Sequence, residues 1–215
     1  MISLIIPLFN EEAGIVALQE RLTNVLVGLD CDYEIIVVDD GSTDNTFARL
    51  IEWQKIEHKL IIAKLSRNWG HQPAFNAGLD ICRGDAVIFM DGDLEDPPEL
   101  IPDLIAEWRG GNDVVYTVKE SRVQSPIKRS LTNFYYWLVR STNNAGVEVQ
   151  AGMYSLVGRN VADVLRNMPE SNKSYPNLRS LVGFRQKRIG YSRDPRFAGK
   201  AKQTFSRLLT DGLNA

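Results

Sequence analysis

Cysteine is scarce in this chain of 215 residues. Cys31 and Cys82 stand alone, without the close spacing of a zinc site or a redox pair, so neither a disulfide framework nor a thiolate metal centre is expected. Both read as free thiols of a reducing cytosol. Long apolar runs are missing too: none approaches the roughly 18 residues that mark a membrane span. No basic n-region precedes Leu4-Ile5-Ile6, so no signal peptide is expected. Neither Gly-x-Gly-x-x-Gly nor a Walker loop is present, which argues against a dinucleotide-binding enzyme or an NTPase. Repeats, low-complexity tracts and an interdomain linker are also absent. What is present is length for one sizeable α/β domain, with hydrophobic and charged fractions of 44% and 24% that suit a soluble globular protein.

The net charge of −2 conceals an asymmetry. Residues 1–118 carry 21 acids against 8 bases, and residues 119–215 carry 6 acids against 17 bases. An acidic half facing a basic half suits a phosphate-rich substrate or an anionic lipid surface, and no nucleic-acid partner is expected.

Short β-rich runs alternate with helical patterns through the first half. Strands are expected at Ser3–Ile6, Glu34–Val38, Leu60–Leu65, Ala86–Met90 and Asp113–Tyr116, with helices at about 11–28, 44–56, 72–83 and 97–109 between them. Ile15, Leu18, Leu22, Val25 and Leu26 make one apolar helical face. Ser42-Thr43-Asp44 supplies capping side chains for the second helix. Strand–helix alternation predicts a mostly parallel, Rossmann-like α/β sheet with ligands beyond the strands' carboxyl ends. Four polar clusters fall at those ends: Phe9-Asn10-Glu11-Glu12, Asp39-Asp40-Gly41-Ser42, Ser66-Arg67-Asn68 and Asp91-Gly92-Asp93. The second half predicts strands at 152–157 and 186–190, a helix at about 159–167, an aromatic helix at 126–140 and an amphipathic helix at 203–213. Trp53 and Trp108 read as core, and His58 as part of a solvated connection. Gly41 suits a turn and Gly78 helix packing. His71 follows Trp69-Gly70 near the ligand edge, where a phosphate contact competes with a purely structural role.

Asp91-Gly92-Asp93 carries the sharpest chemistry. A buried strand delivers two carboxylates to a point where Pro97-Pro98 forbids its continuation. Hard divalent cations take oxygen ligands, so Mg²⁺ or Mn²⁺ holding a diphosphate fits. An acidic turn capping the helix that begins at Pro97 fits equally well at this point.

The four clusters together, with Val182-Gly183-Phe184-Arg185-Gln186 and Arg196-Phe197-Ala198-Gly199-Lys200-Ala201-Lys202, resemble the family-2 glycosyltransferases. The resemblance is closest to the polyprenyl-phosphate glycosyltransferases, a group with dolichyl-phosphate mannose synthase and undecaprenyl-phosphate glucosyl- and aminoarabinosyl-transferases among its members. It implies a GT-A fold over residues 1–202 and inverting transfer of a sugar from a nucleoside-diphosphate sugar to a polyprenyl phosphate, dependent on Mg²⁺ or Mn²⁺. By motif, Pro7, Glu11 and Asp40 contact base and ribose, Arg67 the nucleotide side, and Asp91 and Asp93 the metal. Arg122, Arg129, Arg196 and Lys202 are the candidates for phosphate binding. Asp93, Arg196 and Lys202 are the expected catalytic residues. Residues 203–215 would form an amphipathic juxtamembrane helix on the cytoplasmic face of the membrane, where relatives continue into transmembrane helices. Whether the protein is a homo-oligomer is left open.

Three departures from the family pattern matter. Glu95 stands where Gln is common, offering a further charged metal ligand. Met153 stands where many relatives carry an Asp near the acceptor. The late basic motif keeps Lys202 but reads Ala201-Lys202-Gln203. An already ionised phosphate acceptor needs positioning more than deprotonation. Transfer to a glycan hydroxyl would need a carboxylate base, which Met153 disfavours. A non-catalytic nucleotide-sugar-binding protein is the remaining alternative.

Overall fold

The computed structural model describes residues 1–119, 151–169 and 175–191. Chain order within it is β1 (Ile2–Leu8), α1 (Ile15–Leu26), β2 (Tyr33–Asp39), α2 (Thr46–Ile56), β3 (Leu60–Lys64), α3 (His71–Ile81) and β4 (Ala86–Phe89). A 3-10 turn (Pro98–Leu100) runs into α4 (Ile101–Arg109), followed by β5 (Val114–Lys119), β6 (Ala151–Gly158), α5 (Arg159–Asn167), α6 (Tyr175–Leu181) and β7 (Gln186–Tyr191). The strands form one sheet in the order β3-β2-β1-β4-β6-β5-β7. β6 is the exception to its parallel sense, running antiparallel to both β4 and β5.

The central strands are apolar on both faces because both faces are covered. Along β1, Ile2, Leu4, Ile6 and Leu8 join one core with the apolar faces of α1 and α4 and with Leu50 and Trp53 of α2. Ile5, on the other face, packs with Ala74, Phe75 and Leu79 of α3, and the same core holds Val161 and Leu165 of α5. Trp53 is 2% exposed and Trp108 packs against the first core, as expected of structural tryptophans. Gly78 is required at the crossing of α3 over β1, where a Cβ would lie 2.3 Å from Ile5 Cγ2.

After β3 the chain crosses back over β1 to enter at β4, so the order reverses between β1 and β4. In open parallel sheets that reversal opens a crevice at the carboxyl edge. Leu8 ends β1 there, and Met90-Asp91 leaves β4 beside it.

Differences from the sequence expectation are local. The first helix starts at Ile15 rather than near residue 11. The amides of Asn10 and Glu12 are instead bonded to Ser42 Oγ and Asp44 Oδ2 of the next loop, and that of Glu11 to Thr46 Oγ1 at the start of α2. Of the proposed caps of α2, only Asp44 reaches a helical amide, accepting from Thr46 N at 3.0 Å. α6 was not anticipated; seven residues containing a proline show no helical periodicity. The aromatic helix expected at 126–140 and the amphipathic helix at 203–213 lie outside the described residues. Among the described residues, no helix is long and apolar enough to cross a membrane.

Candidate functional site at the carboxyl edge

The loops after β1 and β2 are stitched into one unit. Asn10 adopts φ 51, and its Oδ1 accepts from Thr43 N at 2.8 Å, while Glu12 Oε2 accepts from Asn45 N at 2.9 Å. Gly41 has φ +69, and a Cβ there would fall 2.4 Å from the Arg67 carbonyl carbon. Only glycine permits that turn and that approach of the β2 loop to the β3 loop. Pro7 is buried within β1, paired with Val38, and Glu11 lies half-buried in the loop beyond.

The two aspartates ending β2 do different things. Asp40 is 4% exposed, and its Oδ1 and Oδ2 accept from Trp69 N and Gly70 N, each at 2.8 Å. Burial raises its carboxyl above the ordinary value, against the pull of those two bonds. The resemblance implies that Asp40 contacts base and ribose; in the structure its carboxylate also clamps the turn that opens α3. Asp39 is fully buried, and its Oδ1 accepts from Ser42 N at 2.9 Å. Its Oδ2 has no hydrogen-bond partner, with Lys64 Nζ at 3.9 Å. A buried carboxylate oxygen left over is an acceptor awaiting a donor. Sequence reasoning missed Asp39. The available signal was the alternation along β2, which sends adjacent acids to opposite sides. Arg67 is exposed, its guanidinium 3.9 Å over the Trp69 ring.

Asp91, Gly92 and Asp93 leave β4 at the point of strand reversal. A Cβ on Gly92 would fall 2.2 Å from Leu8 Cδ2, so any side chain there would have to displace Leu8. Leu94 adopts φ 60 and is 2% exposed. That left-handed turn drives one apolar side chain into the core while Asp93 and Glu95 stay half-exposed on either side of it. Asp93 Oδ1 accepts from Glu95 N at 3.1 Å. The helix-capping alternative fails: neither the 3-10 turn nor α4 has a side-chain cap. The nearest acid, Asp96, is 3% exposed and instead accepts the Tyr191 hydroxyl, while Tyr154 Oη donates to Pro97 O at 3.0 Å. Burial raises the Asp96 carboxyl, partly offset by the Tyr191 bond.

His71, the first residue of α3, reaches Asp91: Nε2 lies 2.7 Å from Oδ1. A carboxylate has no proton to give, so Nε2 carries the hydrogen and donates. Burial pulls this imidazole down, but the Asp91 bond and the charges of Asp91, Asp93 and Asp40 outweigh it and raise it above its ordinary value. The ring also stands edge-on to Phe75 at 4.6 Å.

Beside the end of β4 lies the start of β6. On the register that pairs Phe89 with Ser155, Met153 comes two residues past the end of β4, where Asp91 leaves it. Gln72 Nε2 lies 3.8 Å from Met153 Sδ, so an amide and a thioether meet there. Arg179 of α6 is 2% exposed, donates to Gly152 O at 3.2 Å and has an unpartnered Nε. Burial lowers its guanidinium to about 10. Arg122, Arg129, Arg196 and Lys202 lie outside the described residues.

Among the described residues no three His, Cys, Asp and Glu converge as a closed metal cage, so Asp91, Asp93 and Glu95 are not a ready-made triad. The donor set present is half-exposed and made of hard oxygens, which suits a cation that keeps open positions for phosphate oxygens.

An open α/β sheet of this order, with acidic loops gathered at its carboxyl edge, is a domain of GT-A type. The chain belongs to glycosyl transferase family 2, whose sequence model matches residues 3–162, and it is a glycosyltransferase. It is 36% identical over 214 residues to an uncharacterized glycosyltransferase of Synechocystis sp., covering 99% of this chain and 67% of that protein. A prophage bactoprenol glucosyl transferase homolog of Escherichia coli is 34% identical over 203 residues, or 94% and 66% of the two chains. The chain thus spans about two thirds of the length of these relatives. Among solved structures, glucosyl-3-phosphoglycerate synthase from Mycobacterium tuberculosis, in complex with Mn²⁺, UDP and phosphoglyceric acid, superposes at TM-score 0.67 and 20% identity, covering 100% of this chain and 74% of that one. Staphylococcus aureus TarS residues 1–349 with UDP-GlcNAc gives TM-score 0.60 at 17% identity, covering 93% and 59%.

Proposed function

We propose that this glycosyltransferase moves a sugar from a nucleoside-diphosphate sugar to a polyprenyl phosphate, with inversion and with Mg²⁺ or Mn²⁺, at the cytoplasmic face of a membrane. The observation that carries the donor half is the placement of Asp91 and Asp93, half-exposed at the strand reversal and across the crevice from the β2 loop. Those two carboxylates hold the cation, with Glu95 close enough in sequence to add an oxygen. The bound cation supplies Lewis-acid stabilisation of charge on the departing nucleoside diphosphate. Pro7, Glu11 and Arg67 line the base side, and Asp39 Oδ2 adds a buried acceptor for a donor N–H or O–H of the nucleotide.

The acceptor half rests on different support. The match to a bactoprenol glucosyl transferase homolog runs over 94% of the chain. Continuing the β4–β6 register two residues past Phe89–Ser155 brings Met153 to the level of Asp91, where a hydroxyl acceptor would call for a carboxylate base. A phosphate monoester is already ionised at neutral pH, so its oxygen attacks without proton removal. Arg122, Arg129, Arg196 and Lys202 are assigned to screen and orient the phosphates, with Arg giving a planar fork and Lys a point charge. Residues 203–215 are assigned to the membrane surface.

The test is a transfer assay with radiolabelled UDP- and GDP-sugars, Mg²⁺ or Mn²⁺, and undecaprenyl phosphate in detergent, followed by organic extraction. Label in the organic phase that vanishes in Asp93→Ala supports the reading. Label appearing on a water-soluble glycan overturns its acceptor half.

A further inference from the structure

The geometry points to His71 as a positioning residue for the metal site: clamped in place through Asp40, it holds the Asp91 carboxylate in the orientation that receives the cation. This rests on the reading of Asp91 and Asp93 as the metal carboxylates. Three observations converge on it. Asp40 fixes the turn before α3 by taking the amides of Trp69 and Gly70, both at 2.8 Å. Gly70, at φ +100, then redirects the chain so that His71 opens the helix at the crevice. The imidazole is held edge-on by Phe75 at 4.6 Å and donates from Nε2 to Asp91 Oδ1 at 2.7 Å. A path of named contacts therefore runs from the end of β2 to the carboxylate leaving β4.

The chemistry of such a pair is well defined. A metal-binding carboxylate on a short strand exit has two free torsions, and a hydrogen bond to one oxygen removes much of that freedom before the cation arrives. The Nε2 hydrogen bond supplies that constraint by geometry, holding one carboxylate oxygen and leaving the other to the cation. In this account Asp40 acts on the metal through His71, which explains why a buried acid is spent entirely on two backbone amides.

The test reads free Mn²⁺ by electron paramagnetic resonance, titrated into the full chain with UDP and, separately, with GDP present. Wild type is expected to bind Mn²⁺ with at least one of these nucleotides, and Asp93→Ala to lose that binding. His71→Ala and His71→Phe are expected to weaken it about tenfold or more, the range for partners that orient metal ligands. Phenylalanine keeps the ring edge against Phe75 and lacks the donor, so it separates packing from the hydrogen bond. His71→Gln, which keeps a donor near the Nε2 position, should restore binding to within about threefold of wild type. Asp40→Asn, which turns one acceptor oxygen into a donor facing a backbone amide, should match His71→Ala. The double variant should be no worse than either single one, because both cut the same path. Excess Mn²⁺ should rescue transfer by His71→Ala but not by Asp93→Ala. If wild type binds with either nucleotide and Asp93→Ala does not, yet His71→Ala stays within twofold of wild type, the positioning role is wrong and the metal reading stands. Failure of His71→Gln to restore binding in a folded variant overturns it equally. If wild type itself binds no Mn²⁺ with either nucleotide, the metal reading fails and takes this inference with it.

Discussion

The two ends of the same sheet use the same residue types in opposite ways. At the amino edge, Glu34 is 7% exposed, and its Oε1 accepts from Ser3 Oγ at 2.5 Å and from Arg83 N at 2.6 Å. Ser3 Oγ in turn accepts from Gly84 N at 2.7 Å, and a Cβ on Gly84 would stand 2.5 Å from Ser3 N. Polar groups there are used up by neighbours, and the backbone is packed to contact. At the carboxyl edge a buried Asp39 oxygen has no hydrogen-bond partner, Asn10 and Leu94 take left-handed conformations, and His71 and Asp91 face solvent in part. Left-handed non-glycine residues cost free energy and persist where surrounding structure imposes them, commonly at functional sites. One edge is built for the fold and the other for a ligand, and a buried acid is read by what it has left to offer.

The largest separation of the two edges should come from paired substitutions. Asp93→Ala should lower sugar transfer about a hundredfold or more, the scale for losing electrostatic stabilisation of developing charge, here that of the cation Asp93 is proposed to hold, with little change in melting temperature. Glu34→Ala should do the reverse. It strands the Arg83 amide and a Ser3 hydroxyl, costing about 1–3 kcal/mol per buried group left unpaired, while metal affinity per folded molecule stays unchanged. Chemical denaturation and transfer kinetics on the two variants check both statements.

Gly41→Ala should act on both properties, because the substituted Cβ meets backbone at a positive φ. We expect a loss of about 1–3 kcal/mol in stability together with weaker nucleotide binding, read by denaturation and by titration calorimetry. Asp39→Asn sharpens the contrast from the other side. Asparagine keeps an acceptor for Ser42 and removes a buried charge whose Oδ2 has no hydrogen bond and only a 3.9 Å ion pair to Lys64, so stability should change by no more than about 1 kcal/mol while nucleotide affinity falls. A loss of stability with unchanged affinity would move Asp39 to the structural group.

The smallest expected effect is a pH dependence of the metal-free chain. The folded state holds the His71 proton more tightly than the unfolded chain does, so the His71–Asp91 pair stabilises fully below the ordinary imidazole value. That increment is lost as pH rises through the raised folded value. Denaturation midpoints against pH should show a shallow decline there in wild type and a flatter line in His71→Gln.

Much of this was legible in the sequence for definite reasons. The strands were readable because both faces of β1, β2 and β4 are buried, which forces apolar runs. The four polar clusters were readable because the chain must become polar where it leaves the sheet. Asp91 and Asp93 stood out because prolines stop the strand just beyond them. What stayed hidden depends on contacts between distant residues. Asp40 and Asp39 are neighbours in sequence, yet their roles are set by backbone amides of two different loops, Ser42 for Asp39 and Trp69 and Gly70 for Asp40. His71 pairs with a residue 20 positions away, and no spacing rule announces that. Met153 could be named as a departure, but its neighbour Gln72 became visible only when β6 was found antiparallel beside β4.

The central claim is that the carboxyl edge binds a nucleoside diphosphate through a metal held by Asp91 and Asp93. Titration calorimetry of UDP and GDP into the chain, with and without Mn²⁺, tests it directly. The account predicts that binding of one of them falls at least tenfold without the metal and in Asp93→Ala, and is unchanged in Glu34→Gln. Equal affinity with and without Mn²⁺ in all three proteins would contradict it.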